Sequence, residues 1–306
     1  MKFPREMTRV LKKFGYFDPP KVEDAVTLLG ELGNRVMILA GGTDVLNQMR
    51  RRQANPEFLL NIKNVKELEH LKHNGRLEIG SLTTITAIRE SEWVRKRYPS
   101  LYDAAEWFGT PQIRNMATVG GNVCRSSPSS DMVVPLMALG ATLRLLGPKG
   151  ERTIPVEEFS TGSGENVLDC EILTQIIVPQ EEEPFGTAFI KLKRSSADLA
   201  KVSCAVRIRM KNGQCEEIRI VLGAVSDRVF RAKAAEEVMR GEKMTDAVIE
   251  EAGKRASQGA RPITDVRSTA EYRMQMISVL VKRMIYSSLE RLRLREDEEM
   301  RGKIRE

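Results

Sequence analysis

Two glycine pairs constrain the fold of this chain more than any other feature of its sequence. The first pair, Gly41 and Gly42, follows the apolar run VMILA, which predicts a buried strand, and precedes DVLNQMRR, which predicts a helix. The second pair, Gly120 and Gly121, opens the polar stretch GGNVCRSSPSSD. Each loop alone fits either a tight turn or a backbone that a phosphate group approaches, because glycine places no side chain beside the N–H groups.

Neither loop matches a common nucleotide-binding fingerprint. The first is not G-x-G-x-x-G, and it lacks the lysine of G-x-x-x-x-G-K-[ST]. A carboxylate beside a phosphate is repulsive, so Asp44 is predicted to cap the following helix. In the second loop, Asn122 and Asp131 carry the amide and carboxylate that hydrogen-bond phosphate, ribose or ribityl groups. That loop taken alone leaves ligand binding and a polar loop ending in a helix cap equally open.

The composition is that of an ordinary globular chain. Its 306 residues are 41% hydrophobic and 30% charged, enough for two or three compact units. No apolar run is long enough to cross a bilayer, and the basic start MKFPREMTRVLKKFGYF lacks the apolar core of a signal peptide. We therefore expect a cytoplasmic protein. Four scattered cysteines and two histidines, His70 and His73, predict that the chain builds no zinc or iron–sulfur site by itself.

The net charge of +7 does not indicate nucleic-acid binding. Basic residues are interleaved with acidic ones, as in RLRLREDEEMRGKIRE, and no aromatic-plus-basic motif occurs. Attraction to an anionic cofactor or to an acidic partner surface remains open.

The pattern of predicted elements changes near residues 178–186, in the charged stretch QEEEPFG. Before it, helical spacing in PPKVEDAVTLLGELG alternates with the predicted strands FLLNI, RLEIG, TLRLLG and EILTQIIVP, and SLTTITAIRES predicts a helix with a serine cap. After it come the predicted strands GTAFIKLK, VSCAVRIRM and IRIVLGAV, the last two joined by the turn KNGQ. Helices follow, and the apolar stripe of the last one is predicted to pack in the core rather than to bind a partner. This order predicts an α+β C-terminal domain.

Together, the two loops resemble one protein family. AGGTD followed by TVGGNVCRSSPSSDMVVPLMALGAT resembles the FAD-binding medium subunits of the molybdenum hydroxylases, which include the carbon monoxide dehydrogenase medium subunit and the xanthine dehydrogenase FAD-binding subunit. The resemblance extends to FGYFDPPKVEDAVTLL, DCEILTQIIVP and AFIKLKRSSADLAKVSCAVRI, and so covers nearly the whole chain. It implies an α+β fold with a two-subdomain FAD-binding domain of the vanillyl-alcohol-oxidase (PCMH) type, residues 1–60 and 61–180. A C-terminal domain of a small antiparallel sheet with a helical layer would then occupy residues 185–306.

The resemblance also implies which residues contact FAD. The first loop would hold the pyrophosphate, the second a phosphate and the ribityl chain, and Asp131 a cofactor hydroxyl. Leu173 would pack on the isoalloxazine ring, and Lys191 would stabilise negative charge on the reduced ring. Lys193 is an alternative to Lys191, because residues two apart share a strand face. The implied contacts are Leu39, Ala40, Gly41, Gly42, Thr43, Asp44, Val45, Thr118, Gly120, Gly121, Asn122, Cys124, Ser127, Asp131, Leu173 and Lys191.

One loop departs from the family pattern. The stretch FSTGSGENVL stands where many members carry a proline and a lysine, so no electrostatic contribution to the flavin is expected from it.

The implied function is electron transfer within a hetero-oligomer. In this family a molybdopterin-containing large subunit oxidises the substrate, and a small subunit with [2Fe–2S] clusters conducts the electrons. FAD then passes them to NAD+, a quinone or another acceptor. The alternative is a stand-alone FAD-dependent reductase of the same fold type, which needs substrate-binding acids and a serine or cysteine proton donor that the C-terminal sequence does not identify. A scaffold that has lost FAD is disfavoured by the intact glycine pairs.

Overall fold

The computed structural model describes residues 11–180 and 184–305, with those from 298 onward as backbone only. The first ten residues of the basic N-terminal stretch lie outside the described residues, as do residues 181–183 of the predicted boundary. No helix in the described ranges has both the length and the apolar character that crossing a bilayer requires.

The first sheet is parallel and carries the first glycine loop, residues 40–45. Its strand order is β1-β3-β2, and its elements in chain order are β1 (Gly15–Phe17), α1 (Val22–Leu32), β2 (Val36–Leu39), α2 (Val45–Arg50) and β3 (Phe58–Asn61). The apolar face of α1 is buried with Leu60, as its helical spacing predicts. The glycine loop leaves the end of β2, so this sheet fixes where the loop begins.

The second sheet is antiparallel, with strand order β4-β5-β10-β6-β7. Its strands, and the elements between them, are β4 (Leu71–Asn74), β5 (Arg76–Gly80), α3 (Ile85–Glu90), α4 (Glu92–Arg97), α5 (Pro99–Glu106), α6 (Pro111–Met116), α7 (Val119–Cys124), α8 (Val133–Ala138), β6 (Thr142–Gly147), β7 (Gly150–Pro155), α9 (Val156–Phe159), β8 (Ser160–Gly162), β9 (Glu165–Asn166) and β10 (Ile172–Val178). The second glycine loop, residues 118–131, therefore contains a short helix, α7, which the sequence did not predict.

The serine cap predicted for α3 is wrong. Thr84 caps this helix by accepting the Ala87 N–H at 3.1 Å, because it stands directly before the first helical residue.

The third sheet is antiparallel and is covered by helices. Its order is β11-β12-β13-β14, and its elements are β11 (Gly186–Leu192), β12 (Val202–Lys211), β13 (Gln214–Gly223), β14 (Phe230–Arg231), α10 (Lys233–Met239), α11 (Asp246–Ala256) and α12 (Ala270–Arg305). The predicted KNGQ hairpin is present, with Lys211 opposite Gln214. Ile277, Leu280 and Ile285 of α12 are almost fully buried against this sheet, which confirms the core role predicted for the last helix.

The second and third sheets share one hydrophobic core. Phe189, Ala205 and Val221 of the third sheet are buried together with Val134 of α8, which directly follows the second glycine loop. The strands of the three sheets fall within residues 15–61, 71–178 and 186–231, and the division into 1–60, 61–180 and 185–306 stays a prediction of domain boundaries.

A buried arginine anchors α12 to the third sheet. Arg273 is 2% exposed and donates to the carbonyl oxygens of Lys201 at 3.0 Å and Ala224 at 2.8 Å, and to Asp265 Oδ1 at 2.7 Å. Burial raises the pKa of Asp265, but hydrogen bonds from Arg267 and the charges of Arg267 and Arg273 outweigh it, so the pKa lies below its usual range. Asp265 is thus the counter-ion that makes burial of Arg273 tolerable.

Replacing Asp265 with asparagine should lower the free energy of unfolding by about 2–3 kcal/mol at pH 7, because the buried Arg273 charge loses its partner. The folded-state pKa lies below the unfolded value of about 3.9. The stabilisation by the carboxylate is therefore complete above that pH and is lost as the pH falls through the folded-state pKa. Urea unfolding at pH 7 and near pH 3 measures both effects. The difference in the free energy of unfolding between Asp265→Asn and the unsubstituted protein should be smaller near pH 3. The exposed Asp227 provides the control, since Asp227→Asn should have little effect; equal effects of the two substitutions would contradict this role.

Candidate functional site

The two glycine loops lie against each other in the folded chain. A Cβ atom built on Gly41 would stand 2.1 Å from the carbonyl oxygen of Met116, just before the second loop. The start of that loop is fixed by a bridge between Thr84 and Thr118 and by the bond from the Val119 N–H to the Thr83 oxygen at 2.9 Å. Gly41 is therefore required by the close approach of the two loops.

The second loop is held equally closely against the end of β5. The Gly120 N–H donates to the Ser81 oxygen at 3.0 Å, and a Cβ on Gly120 would lie 2.6 Å from the Ser81 Cβ. The Ser81 N–H in turn donates to the Thr174 oxygen of β10 at 3.0 Å. Gly120 is thus also explained by packing within the chain, and Ser81, which sequence reasoning missed, is its anchor.

The other glycine of each pair has a different environment. Gly42 has φ +78°, in the left-handed region where a side chain is strained. Gly121 is exposed, and a Cβ there would meet only the Thr118 hydroxyl, at 2.9 Å. That hydroxyl accepts the Gly121 N–H at 3.0 Å and so caps α7. Gly121 is therefore the glycine at which an added side chain would project outward rather than into the protein.

A cavity of about 240 Å³ opens between the two loops. Pockets that enclose a drug-sized ligand typically measure about 300–1,000 Å³, so a dinucleotide would be held here only in part. The cavity lining includes Ala40, Gly41, Thr118, Thr84, Met116 and Lys63. Predicted site residues thus meet at this cavity with Met116 and Lys63, for which the sequence contained no recognisable signal.

The prediction that Asp44 caps α2 is wrong. Asp44 occupies the cap position, but its φ of −106° and ψ of −51° are helical and its side chain makes no cap hydrogen bond. Capping requires an extended backbone at this position. Instead, the carboxylate accepts from Arg125 Nε at 2.7 Å, on the second loop. Thr43 contributes its carbonyl oxygen, which accepts from Asn47 Nδ2 at 2.7 Å.

Polar side chains of the second loop brace the loop itself. Asn122 Oδ1 accepts the Met132 N–H at 3.1 Å, the Asn122 carbonyl accepts from the Ser130 hydroxyl at 3.1 Å, and Ser127 Oγ accepts the Ser129 N–H at 3.2 Å. Cys124 is partly buried in the neighbouring core, and burial raises the pKa of its thiol to about 12, so it is not a reactive thiolate at neutral pH. Hydrogen bonds within the chain therefore hold the conformation of this loop.

Asp131 and Lys191 form a buried ion pair. Lys191 Nζ lies 2.7 Å from Asp131 Oδ2, and their side chains are 1% and 5% exposed, respectively. Burial pushes the pKa of Asp131 upward, and the charge and hydrogen bond of Lys191 counter it. Asp131 Oδ1 is buried and has no partner among the described residues. The pair joins the end of the second glycine loop to β11 of the third sheet.

Lys193 does not lie on the strand as predicted, and Leu173 lies in the core. Strand β11 ends at Leu192, so Lys193 lies beyond the strand and does not share a strand face with Lys191; its Nζ stands 4.5 Å from the centre of the Trp107 ring. Burial, followed by the charge of Lys191, lowers the pKa of Lys193. Leu173 is 3% exposed in the main core. It directly precedes Thr174, whose carbonyl oxygen accepts the Ser81 N–H.

The remaining predicted contacts lie just before the first loop (Leu39) and at its two ends (Ala40 and Val45). Leu39 is buried with Met49 and Leu59, Val45 packs against that group, and Ala40 packs against the core beneath α1. These three side chains connect the first loop to the hydrophobic core.

Comparisons with known proteins match both parts of the chain. The family described as the FAD binding domain in molybdopterin dehydrogenase matches residues 12–181, and the CO dehydrogenase flavoprotein C-terminal domain matches residues 187–288. The carbon monoxide dehydrogenase medium chain of Hydrogenophaga pseudoflava is 34% identical over 275 residues, covering 89% of this chain and 96% of that protein. The xanthine dehydrogenase FAD-binding subunit of Escherichia coli O157:H7 is 32% identical, covering 88% and 94%.

The structural similarity is equally extensive. The chain superposes with a TM-score of 0.90 and 34% identity on a chain of the Hydrogenophaga pseudoflava carbon monoxide dehydrogenase that lacks the Mo-pyranopterin moiety, covering 92% of this chain and 99% of that one. The fold and the paired loops therefore define an α+β flavoprotein with FAD as its cofactor. The chain belongs to the family of FAD-binding medium subunits of carbon monoxide dehydrogenase- and xanthine dehydrogenase-type oxidoreductases.

Proposed function

We propose that this chain is the electron-transfer subunit of a molybdenum hydroxylase, with FAD held between the two glycine loops. The observation that carries the proposal is the contact between these loops around an open cavity, with Gly41 at their meeting point. The chain is similar over about nine-tenths of its length to a carbon monoxide dehydrogenase medium chain and to a xanthine dehydrogenase FAD-binding subunit, and the second of these names states FAD binding.

Residues of the second glycine loop fit the chemistry of FAD. Gly121 is exposed and places no side chain in the way of a pyrophosphate, although its own N–H already donates to the Thr118 hydroxyl. Asn122 uses its Oδ1 within the loop, which leaves its amide nitrogen for a ligand oxygen. Asp131 Oδ1 is a buried acceptor that a hydroxyl or ring N–H of the cofactor would satisfy. In our proposal the first loop holds the pyrophosphate, and Thr118, Gly121 and Asn122 supply the second set of contacts.

Bound FAD supplies the redox chemistry, and the chain binds and orients it. The charge of Lys191 is compensated by Asp131, so this pair stabilises reduced flavin less than an isolated lysine would. Lys193 makes no ion pair among the described residues, and we propose that it is the stronger source of positive potential in this region. The contact of Leu173 with the isoalloxazine ring remains part of the proposal, through the small part of its side chain that is exposed.

The proposal also covers the partners and the location. Electrons would arrive from a [2Fe–2S] small subunit that is reduced by a molybdopterin-containing large subunit, and would leave to NAD+, a quinone or another acceptor. We also propose that the complex is cytoplasmic, in keeping with four cysteines in the described residues that form no disulfide.

Co-purification tests this proposal against a stand-alone reductase of the same fold type. The chain, tagged and expressed with the open reading frames that neighbour its gene, should bring down two further chains, with molybdenum, iron and flavin in the same fraction. A flavoprotein that purifies alone, and is fully active as a reductase without partners, would contradict it.

A further inference from the structure

An ion pair joins the two glycine loops to each other. Arg125 Nε and Asp44 Oδ2 are 2.7 Å apart, with the arginine on the second loop and the aspartate on the first. Their side chains are 41% and 48% exposed, so the pair lies at the surface rather than in the core. An exposed pair of this kind contributes little to folding, and a role in stability does not account for it.

The charge of Asp44 is unfavourable where it stands. The first loop is proposed to hold a pyrophosphate, which carries about two negative charges. Asp44 lies two residues after Gly42 and does not cap α2, so its carboxylate is not engaged by the helix. Without compensation, it would repel the ligand that its own loop binds.

The hairpin β8–β9 holds the backbone on both sides of Arg125. The proposed function gives this hairpin no other role. The Gly164 N–H donates to the Ser126 oxygen at 2.9 Å, and Asn166 Nδ2 donates to the Cys124 oxygen at 3.0 Å, so both neighbours of Arg125 are held. A Cβ on Gly164 would lie 3.1 Å from Arg125 Nη1. The hairpin thus leaves room for the guanidinium and directs it toward Asp44.

We propose that Arg125 is a positioning residue that neutralises Asp44, so that the first glycine loop can accept the FAD pyrophosphate. This inference rests on the proposed function. It adds Arg125 to the residues that the family resemblance implies for FAD binding. Because the action is electrostatic and runs through Asp44, removing Arg125 harms FAD binding only while Asp44 keeps its charge.

A double-mutant cycle on the full chain tests this dependence. FAD dissociation constants are measured by flavin fluorescence for the unsubstituted protein, Arg125→Gln, Asp44→Asn and the double variant. Arg125→Gln should weaken binding about tenfold, as expected for one uncompensated charge near the ligand at an intermediate dielectric constant. Asp44→Asn should bind at least as tightly as the unsubstituted protein, and the double variant should return to within about threefold of it.

Salt dependence gives a readout that a merely structural role would not move. In Arg125→Gln the repulsion from Asp44 should be screened as the Debye length shrinks from about 10 Å at 0.1 M to about 3 Å at 1 M salt. The difference in FAD affinity between this variant and the unsubstituted protein should therefore become smaller at the higher salt concentration. Arg255→Gln is the matched control, because Arg255 pairs with Glu251 at 2.7 Å with a similar exposure on α11; it should not change FAD binding.

Each outcome separates this inference from the proposed function. If neither the unsubstituted chain nor its co-purified complex binds FAD, the proposed function itself is overturned. If FAD binds and its dissociation constant is unchanged by Arg125→Gln, only the role of Arg125 is overturned. A double variant as weak as Arg125→Gln would also overturn it, because Arg125 would then act on FAD directly and not through Asp44.

Discussion

Replacing Gly121 with valine should raise the dissociation constant for FAD about 100-fold or more while leaving the chain folded. Gly121 is exposed, and an added side chain would meet only the Thr118 hydroxyl within the protein. The isopropyl group would instead stand where the proposed pyrophosphate approaches the backbone, and a loss of 100-fold corresponds to about 2.7 kcal/mol of binding free energy. Valine is no worse than glycine in a helix, but its Cβ would stand 2.9 Å from the Thr118 hydroxyl, so the cap of α7 must shift and about 1 kcal/mol of stability should be lost.

The measurement is FAD binding by fluorescence, paired with urea unfolding of the FAD-free variant. Gly41 cannot serve for this test, because any side chain there would collide with the Met116 backbone and disturb the fold itself. Gly30→Val is the matched control, since Gly30 is an exposed glycine of α1 whose added Cβ would meet only Pro148, at 3.2 Å. A Gly121→Val protein with unchanged FAD affinity would exclude Gly121 from the site.

Replacing Lys191 with methionine should cost about 3–5 kcal/mol of unfolding free energy at pH 7. The substitution leaves the Asp131 carboxylate buried without its partner, and breaking a buried pair by removing one member carries this penalty. Because the pair joins the second glycine loop to β11, the loss should also loosen the loop. Urea and thermal unfolding measure the effect.

A double variant distinguishes the buried charge from lost packing. Lys191→Met combined with Asp131→Leu removes both charges and should recover most of the stability, because apolar replacement of a buried pair is often neutral. The exposed Lys254 provides the control, and Lys254→Met should change stability by less than about 0.5 kcal/mol. A loss below about 1 kcal/mol for Lys191→Met would contradict the buried pair.

The periodic elements could be predicted from the sequence because their signals are local. The helical spacing of α1, the apolar run of β2 and the KNGQ hairpin all appear where the patterns place them. Helix α7 could not be predicted, because two adjacent glycines lower helix propensity; it forms where the Thr118 cap and the contact of Gly120 with Ser81 hold the backbone.

The site was only partly predictable, since its charges pair over long distances in sequence. The bond between Lys191 and Asp131 spans 60 residues, and no pattern in either segment indicates it. The sequence likewise assigned Asp44 to a helix cap, which its helical backbone does not permit, and contained no signal for its pairing with Arg125. The glycines were interpreted as ligand contacts, whereas Gly41 and Gly120 are already required by contacts within the chain.

Titration of the FAD-free chain with FAD tests the central claim most directly. The account predicts saturation at one FAD per chain, with a dissociation constant that Gly121→Val raises about 100-fold or more and Gly30→Val leaves unchanged. A folded chain that binds no FAD, or that binds it equally well after Gly121→Val, would contradict the placement of the cofactor between the two glycine loops.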